Sequence, residues 1–525
     1  MEPLLDGADI QGNILPGFNR QERYLVGFTC NDGARLKNAL ALVLPHVTTM
    51  LQALDHRDER KAAFVAAEPP PLRKDLWLNI ALGPRAVRAI GADAVFDLDD
   101  EEFSFAGGMT PGITGDASAP TLPNGDPNPA SRRHWKVGSP SRPLDLLLIF
   151  ANDGAIEERA APLLEAIASA LGVAPTYDEV GRLIPGEIEH FGFRDGISQP
   201  GVRGRVMHQG TERFVTTRYG VPSAHGVDFG KPGQPLVWPG QFLTGQPVSE
   251  GDQPSLPAEL TNGSFGVFRR LSQNVRAFYE DTEALAGQLS AATGIGLAPD
   301  RLRTLMVGRF PTGAALMRHD QQPAQDDSIT AINYFAFADA LPEITLTDGS
   351  TVSAAKADPD VLRGRRCPVW AHIRKVNPRD LGTNRGGPID TIGFQILRRG
   401  IPFGPPYDHL NPKNPDNDNK QRGLLFLSYQ RHIKTTFSIL NHDWMNNRDA
   451  PQGGGFDLLV GQNVPNNGDG RHANKSATFF GPPPDTSTVG VDFESQRQWV
   501  VPTGGAFVFA PSLAFVKKFA AELPS

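Results

Sequence analysis

Short apolar runs alternate with amphipathic segments in the first half of the chain. The runs at residues 24–30 and 144–150 predict strands, and each is followed by a turn and by apolar residues at helical spacing. The helices are expected at residues 36–47, with a kink at Pro45, and at residues 156–171. Strands that lead into amphipathic helices predict a sheet with helices on one face.

The second half begins a similar pattern at residues 264–271, an apolar run that predicts a strand. Ser272 is expected to cap a helix that carries Val275, Phe278 and Leu285. Further strands are predicted at residues 390–398, 423–429 and 506–510. The order of elements therefore predicts an α+β fold made of two sandwiches of related plan.

Three segments interrupt this pattern because they are rich in residues that favour turns. They lie at residues 107–141, 404–420 and 461–489 and contain many Gly, Pro and Asn residues. We expect them to be exposed loop insertions. A lid or an access channel is the alternative for loops of this length.

The composition is that of a folded protein with an acidic charge balance. Of the 525 residues, 39% are hydrophobic and 21% are charged, which excludes a fibrous or disordered chain. The formal net charge of -7 at pH 7 disfavours nucleic acid as a partner, because phosphate binding needs a basic surface. Cys30 and Cys367 lie far apart without CxxC spacing, so neither a disulfide framework nor a thiolate metal site is supported.

Neither the N-terminus nor the interior of the chain predicts membrane insertion. Glu2 and Asp6 stand where a signal peptide needs a basic region. The longest apolar stretch, at residues 146–151, is far too short to span a bilayer. We therefore expect a cytoplasmic protein without a membrane span; export by another route and encapsulation in a larger shell stay open as alternatives.

Three segments place a titratable or charged side chain among glycine or apolar neighbours. HFGFRDGISQP at residues 190–200 holds Asp195 in a glycine-flanked turn. CPVWAHIRKVNPR at residues 367–379 holds His372 among apolar residues, and ILRRGIPFG at residues 396–404 carries two arginines after an apolar run. Each segment alone has an ordinary structural explanation. Together they supply the carboxylate, the imidazole and the guanidinium that a haem peroxidase needs.

In this order, the three segments resemble those of the dye-decolorizing peroxidases. GFRDG at residues 192–196 resembles the catalytic aspartate motif of that family, and AHIRKVNPR at residues 371–379 resembles its proximal-histidine segment. ILRRGIPFG resembles the strand that carries its distal arginine. Further similar blocks lie at residues 9–15, 422–429 and 455–462, so the resemblance covers nearly the whole chain.

The resemblance implies two ferredoxin-like α/β sandwich halves of the dimeric α+β barrel type. The N-terminal half is placed at residues 1–200, ending after the GFRDG motif, and contains the insertion at 107–141. The C-terminal half is placed at residues 201–525, contains the insertions at 404–420 and 461–489, and is expected to hold most of the haem.

The resemblance also implies roles for individual side chains around the haem iron. His372 is the implied proximal ligand. Asp457 is the candidate acceptor for the hydrogen bond of the other imidazole nitrogen, with an ordinary loop aspartate as the alternative. On the opposite face, Asp195 is implied to move the proton of bound peroxide, and Arg398 to stabilise the charge on the leaving oxygen. Arg399 stays open as the alternative distal arginine.

Three further residues are implied to contact the cofactor, which is expected to be one haem b per chain. Leu424 and Phe426 lie two apart on a predicted strand and therefore share a face, which the resemblance puts over the distal side of the haem. Ordinary core packing is the alternative for both. Arg379 is implied to pair with a haem propionate, a partner that suits a guanidinium, with a surface arginine as the alternative.

The function implied by the resemblance is that of a haem peroxidase. It would reduce hydrogen peroxide and oxidise dyes, phenols and other aromatic donors by one-electron steps through an oxyferryl intermediate. Large donors are expected to react through a surface Trp or Tyr; Trp370 and Tyr407 are candidates, and neither is assigned. The expected partners are peroxide and these reductants, and the oligomeric state stays open.

Two other functions stay open on the sequence. One is a haem-binding or haem-handling protein, either deferrochelatase-like or a carrier, with little peroxidase turnover. The other is a haem-free scaffold in which Asp195, His372 and Arg398 are structural.

Overall fold

The computed structural model describes most of the chain. The described residues are 2–69, 72, 75–98, 101–104, 109, 128, 130–323, 328, 330–409, 411, 414, 417, 420–462, 475–482, 489–495 and 497–521. Within these residues, no helix is both long and apolar enough to cross a membrane.

Within the described residues the chain forms eighteen strands. In chain order they are β1 (Leu4–Leu5), β2 (Glu22–Phe28), β3 (Trp77–Leu82), β4 (Leu146–Asn152), β5 (Tyr177–Arg182), β6 (Gly201–Val202), β7 (Arg205–His208), β8 (Thr211–Phe214), β9 (Leu236–Val237), β10 (Ser264–Gln273), β11 (Ile344–Thr345), β12 (Thr351–Val352), β13 (Leu397–Arg398), β14 (Ile401–Phe403), β15 (Gly423–Gln430), β16 (Lys475–Phe479), β17 (Val491–Ser495) and β18 (Val500–Ala510).

A closed barrel forms the centre of the molecule. Among the described residues, nine strands form one sheet in the order β10-β18-β3-β4-β2-β5-β14-β15-β13. Because β10 also pairs antiparallel with β15, the sheet closes on itself. The two halves of the chain meet at β18–β3 and at β14–β5, and each of these junctions has a single residue pair in register.

Each half contributes a βαββαβ unit to this barrel. In the first half, the helix Gly33–Val43 follows β2, and the helix Ile156–Leu171 lies between β4 and β5. In the second half, the helix Val275–Thr293 follows β10, and Ile433–Met445, which has π-helical hydrogen bonding, follows β15. This is the ferredoxin-like arrangement, so the predicted fold class is confirmed. The boundary at residue 200 stays a prediction.

Further α-helices lie elsewhere in the described residues. They are Met50–Val65, Pro84–Ala89, Glu101–Ser104, Pro299–Val307, His372–Val376, Pro388–Thr391 and Leu513–Phe519.

The apolar run of β4 is buried on both faces, which explains why it does not alternate with polar residues. Leu146, Leu148 and Phe150 pack in the layer between the sheet and the helices. Leu147 and Ile149 point the other way, into a second core inside the barrel.

The first predicted helix is shorter than the apolar pattern indicated. It ends at Val43 and is followed by a 3-10 turn at Leu44–His46. Pro45 sits in that turn and is the physical reason for the early end, since proline cannot donate the next helical hydrogen bond. The predicted helix is therefore confirmed over residues 36–43, and its predicted continuation through Pro45 to residue 47 is wrong.

Two predictions in the second half are also wrong. Residues 390–398 do not form a strand: the helix Pro388–Thr391 and a 3-10 turn at Ile392–Phe394 occupy most of the segment, and only β13 is extended. Proline at the start of a helix favours this turn, and the Gly387 N–H donates to Asp390. Ser272 belongs to β10, and Asn274 caps the following helix by accepting from the Ala277 N–H.

The predicted insertions have different outcomes. Most of 107–141 lies outside the described residues, as does much of 404–420. The insertion at 461–489 is wrong in part, because β16 lies within it and pairs antiparallel with β17. Gly, Pro and Asn residues surround the short alternating pattern of β16, and for that reason the sequence predicts a loop there.

Candidate active site

A large cavity lies between the barrel and the C-terminal helices; we call it the central cavity. Its walls come from β10, β13 and β15, from the helices that begin at His372 and Ile433, and from the loop at residues 189–200. Six side chains predicted as site residues line it: Asp195, His372, Arg379, Arg398, Leu424 and Phe426. The seventh, Asp457, is fully buried and contacts His372.

His372 begins a short helix at one side of the cavity. Its Nδ1 lies 2.7 Å from the Asp457 Oδ2. Because a carboxylate can only accept, the imidazole donates from Nδ1, and in the neutral ring Nε2 keeps a lone pair. This is the tautomer that a metal-binding imidazole requires.

The Asp457 carboxylate is held in its charged form. Burial acts to raise its pKa, but the contact with His372, the Val460 N–H and the charge of Lys475 together keep the pKa below its usual value. The other oxygen, Oδ1, accepts hydrogen bonds from the Leu459 N–H at 3.0 Å and the Val460 N–H at 2.9 Å. The aspartate is therefore fixed in place as an acceptor for the His372 N–H.

Asp195 and Arg398 form an ion pair elsewhere on the cavity wall. Arg398 Nη1 donates to Asp195 Oδ1 at 3.2 Å, and its Nη2 donates to the Ser198 carbonyl at 2.7 Å. Gly196 N–H donates to the same Asp195 oxygen at 2.6 Å. Both Gly196 and Gly192 have positive φ, at 75° and 90°, so the turn around the aspartate needs these glycines.

The two neighbouring arginines of the 396–404 segment point in opposite directions. Arg399 donates from Nε to the Asn13 carbonyl at 2.8 Å and from Nη2 to the Ile14 carbonyl at 2.7 Å. Its burial lowers its pKa to about 9. Arg398 lines the central cavity, whereas Arg399 ties the strand to the N-terminal segment.

Leu424 and Phe426 both face the central cavity from β15, as expected for residues two apart on a strand. Phe426 also packs against Phe437, with ring centroids 6.2 Å apart. These side chains make this part of the wall apolar.

Arg379 lies in the cavity wall in a left-handed backbone conformation, with φ of 56°. Its Nη1 donates to the carbonyls of Asn333 at 3.0 Å and Phe335 at 2.8 Å, and burial lowers its pKa to about 10. Within the described residues, Nε and Nη2 have no hydrogen-bond partner. A guanidinium in this state suits an acidic group of a ligand in the cavity.

Some residues of the site were missed in the sequence. The Gln199 side chain makes two hydrogen bonds to the backbone of Arg398. Its Oε1 accepts from the Arg398 N–H at 3.1 Å, and its Nε2 donates to the Arg398 carbonyl at 3.2 Å. The Glu189 carboxylate also lines the cavity. Glu189 directly precedes the segment at residues 190–200, and Gln199 belongs to it. The motif in that segment was therefore the sequence signal that could have indicated both residues.

The residues present fit a haem group. An imidazole nitrogen is available for iron, the surrounding wall contains apolar side chains, and a guanidinium with unpaired donors is available for a propionate. Asp195 and Arg398 add an acid–base group and a fixed positive charge to the same cavity.

The chain also matches known proteins along its length. Residues 9–117 match the family model of the DyP dimeric alpha+beta barrel domain. Dye-decolorizing peroxidase msp1 of Mycetinis scorodonius is 29% identical over 531 residues, covering 98% of this chain and 87% of that protein. The structure of an ancestral D-type dye decolorizing peroxidase has a TM-score of 0.72 at 28% identity, covering 98% of this chain and 100% of that one. The chain is therefore similar to dye-decolorizing peroxidases over nearly its whole length.

The protein is a peroxidase, an enzyme that acts on peroxide and a reductant. Peroxidases of this family are haem enzymes. A further solved structure is that of a dye-decolorizing peroxidase whose heme pocket was engineered for asymmetric sulfoxidation. It has a TM-score of 0.69 at 26% identity and covers 98% of this chain and 100% of that one.

Proposed function

We propose that this peroxidase binds one haem b per chain, reduces hydrogen peroxide, and oxidises dyes, phenols and other aromatic donors in one-electron steps. The observation that carries the proposal is the presence, on one cavity, of the Asp457-bound His372 and the Asp195–Arg398 pair. When bound, haem supplies the iron that cleaves the O–O bond and holds the two oxidising equivalents.

His372 holds the iron through Nε2 in this proposal. Asp457 accepts the Nδ1 proton, which fixes the ring orientation and makes the imidazole a stronger electron donor. Arg379 pairs with a propionate through the nitrogens that its carbonyl contacts leave available.

Asp195 moves the peroxide proton. Its Oδ1 already accepts from Arg398 and Gly196, so Oδ2 is the oxygen that takes the proton from one peroxide oxygen and returns it to the other. The Arg398 guanidinium stabilises the negative charge that develops on the leaving oxygen. The leaving oxygen, once it has received the proton, is expected to depart as water.

The same cavity limits which donors enter it. Leu424 and Phe426 present apolar surface that favours small aromatic donors. Larger dyes deliver their electrons through a surface Trp or Tyr. Trp370 and Tyr407, which the sequence offered as candidates, are 1% and 5% exposed, which argues for other aromatic residues at the surface.

Replacing Arg398 by Leu should slow the reaction with peroxide by about 10²–10³-fold, the usual cost of losing one fixed donor at a developing negative charge. Haem content should be retained, because Arg398 contacts only Asp195 and Ser198 through its guanidinium within the described residues. Stopped-flow absorbance at the Soret band measures the rate.

Arg399→Lys is the comparison for this variant. It should lower the free energy of unfolding, because Arg399 holds two backbone carbonyls, while the folded protein keeps its peroxide rate. A large loss of the peroxide rate in Arg399→Lys, together with no loss in Arg398→Leu, would show that Arg399 is the distal arginine.

The experiment that tests the proposed function is the visible spectrum of the purified protein, expressed with added haem, before and after one equivalent of hydrogen peroxide. We expect a Soret band that shifts rapidly with peroxide and returns when a dye is added. A band indifferent to peroxide would point to haem binding or handling, and the absence of a band would overturn the haem site.

A further inference from the structure

A second carboxylate, Glu189, lines the central cavity on the loop that carries Asp195. The loop turns at Gly192, where φ is 90°. Its backbone is closed by two hydrogen bonds, from the Glu189 N–H to the Phe193 carbonyl and from the Gly192 N–H to the Glu189 carbonyl, both at 2.9 Å. The backbone of Glu189 thus takes part in the turn that leads to Asp195.

The Glu189 side chain binds the same turn a second time. Its Oε2 accepts from the Phe191 N–H at 2.9 Å, and its Oε1 accepts from the Phe193 N–H at 3.1 Å. Oε2 also accepts from the Gln273 side-chain amide at 2.5 Å. Gln273 is the last residue of β10, so this contact joins the loop to the barrel.

We propose that Glu189 is a positioning residue for Asp195, because its carboxylate shapes the turn at residues 189–193 and ties it to β10 through Gln273. The proposal rests on the proposed function of Asp195 in moving the peroxide proton. Glu189 itself needs no contact with peroxide. Its ionised form is the one that can accept all three hydrogen bonds without donating any.

The charge state of this carboxylate changes near neutral pH. Burial, together with the charge of Asp195, raises the pKa of Glu189 to about 7, although the Phe191, Phe193 and Gln273 donors act to lower it. The charge of Glu189 also acts on Tyr279, whose hydroxyl donates to the Phe191 carbonyl at 3.0 Å. Glu189 is therefore mostly protonated at pH 5 and mostly ionised at pH 8.

Glu189→Gln imitates the protonated form at every pH, since the amide has one acceptor oxygen and a donating nitrogen. At pH 8, we expect the second-order rate constant for peroxide to be about tenfold lower than in the wild type, the size expected for misplacing a catalytic group by losing one hydrogen bond. At pH 5, the two rate constants should be nearly equal. Haem content and the Soret maximum should not change.

Glu187→Gln is the matched control, because Glu187 lies two residues before Glu189, is exposed and pairs with Arg194 at 2.8 Å. It should keep the wild-type rate constant at both pH values. Gln273→Met keeps the carboxylate but removes its bond to β10, and it should also lower the rate constant at pH 8. This second variant tests the proposal if Glu189→Gln does not fold.

A wild-type to Glu189→Gln ratio that is the same at pH 5 and pH 8 would overturn the proposal, as would an equal loss in Glu187→Gln. The proposed function fails separately: in that case the wild-type haem protein would itself not react with peroxide at either pH.

Discussion

Asp195→Asn is expected to slow the reaction of the haem-loaded protein with hydrogen peroxide by about 10²–10⁴-fold, the contribution of a positioned acid–base group. An amide cannot take the peroxide proton from one oxygen and return it to the other. It can keep Oδ1 as an acceptor for Arg398 and Gly196, so the turn should stay intact. Stopped-flow measurement of the Soret change at several peroxide concentrations gives the second-order rate constant.

The control for this variant is Asp348→Asn. Asp348 is an exposed aspartate in an Asp-Gly turn, and its side chain accepts from the Ser350 N–H. This is the ordinary structural role of an aspartate in such a turn. It should react like the wild type. Unchanged peroxide kinetics in Asp195→Asn, with haem bound, would remove this carboxylate from the mechanism.

Much of the fold could be predicted because its strongest elements are marked by local sequence. The helix Ile156–Leu171 has its predicted bounds, since an apolar stripe at helical spacing follows an Asn-Asp-Gly turn. The β4 run is apolar at every position because both of its faces are buried. The closure of the barrel could not be predicted in this way, because single residue pairs join the two halves at β18–β3 and β14–β5.

The errors arose where a short local interaction prevailed over an apolar pattern. Residues 390–398 look like a strand, but Pro388 and the Asp390 cap favour a helical turn there. Conversely, β16 is a strand because β17 pairs with it, and its own five residues lie among loop-forming ones. Pairing between distant segments is the information that a single sequence lacks.

The site residues also differ in whether a local motif or a contact between distant segments identifies them. Asp195, His372 and Arg398 lie in segments that resemble motifs of the dye-decolorizing peroxidases, so they could be named from the sequence. The choice between Arg398 and Arg399, and the contact of Asp457 with His372, stayed open on the sequence because they depend on how distant segments pack. Glu189 could not be identified by its partners, because two of them are backbone N–H groups, which every sequence supplies, and the third is the distant Gln273.

His372→Ala should have the largest effect on the cofactor. The change removes the imidazole that is proposed to hold the iron and leaves Asp457 buried without its His372 partner. We expect the purified variant to lose haem or to show an altered Soret band, and its peroxide reaction to be abolished. Absorbance and pyridine haemochrome analysis measure the haem content per chain.

His442→Ala is the control, because His442 is half-exposed and pairs with the adjacent Asp443. It should retain the wild-type haem content. Added imidazole should partly restore the spectrum of His372→Ala, since a free imidazole can enter the space left by the side chain and bind iron. A His372→Ala protein with a normal Soret band and normal peroxide kinetics would show that another residue holds the iron.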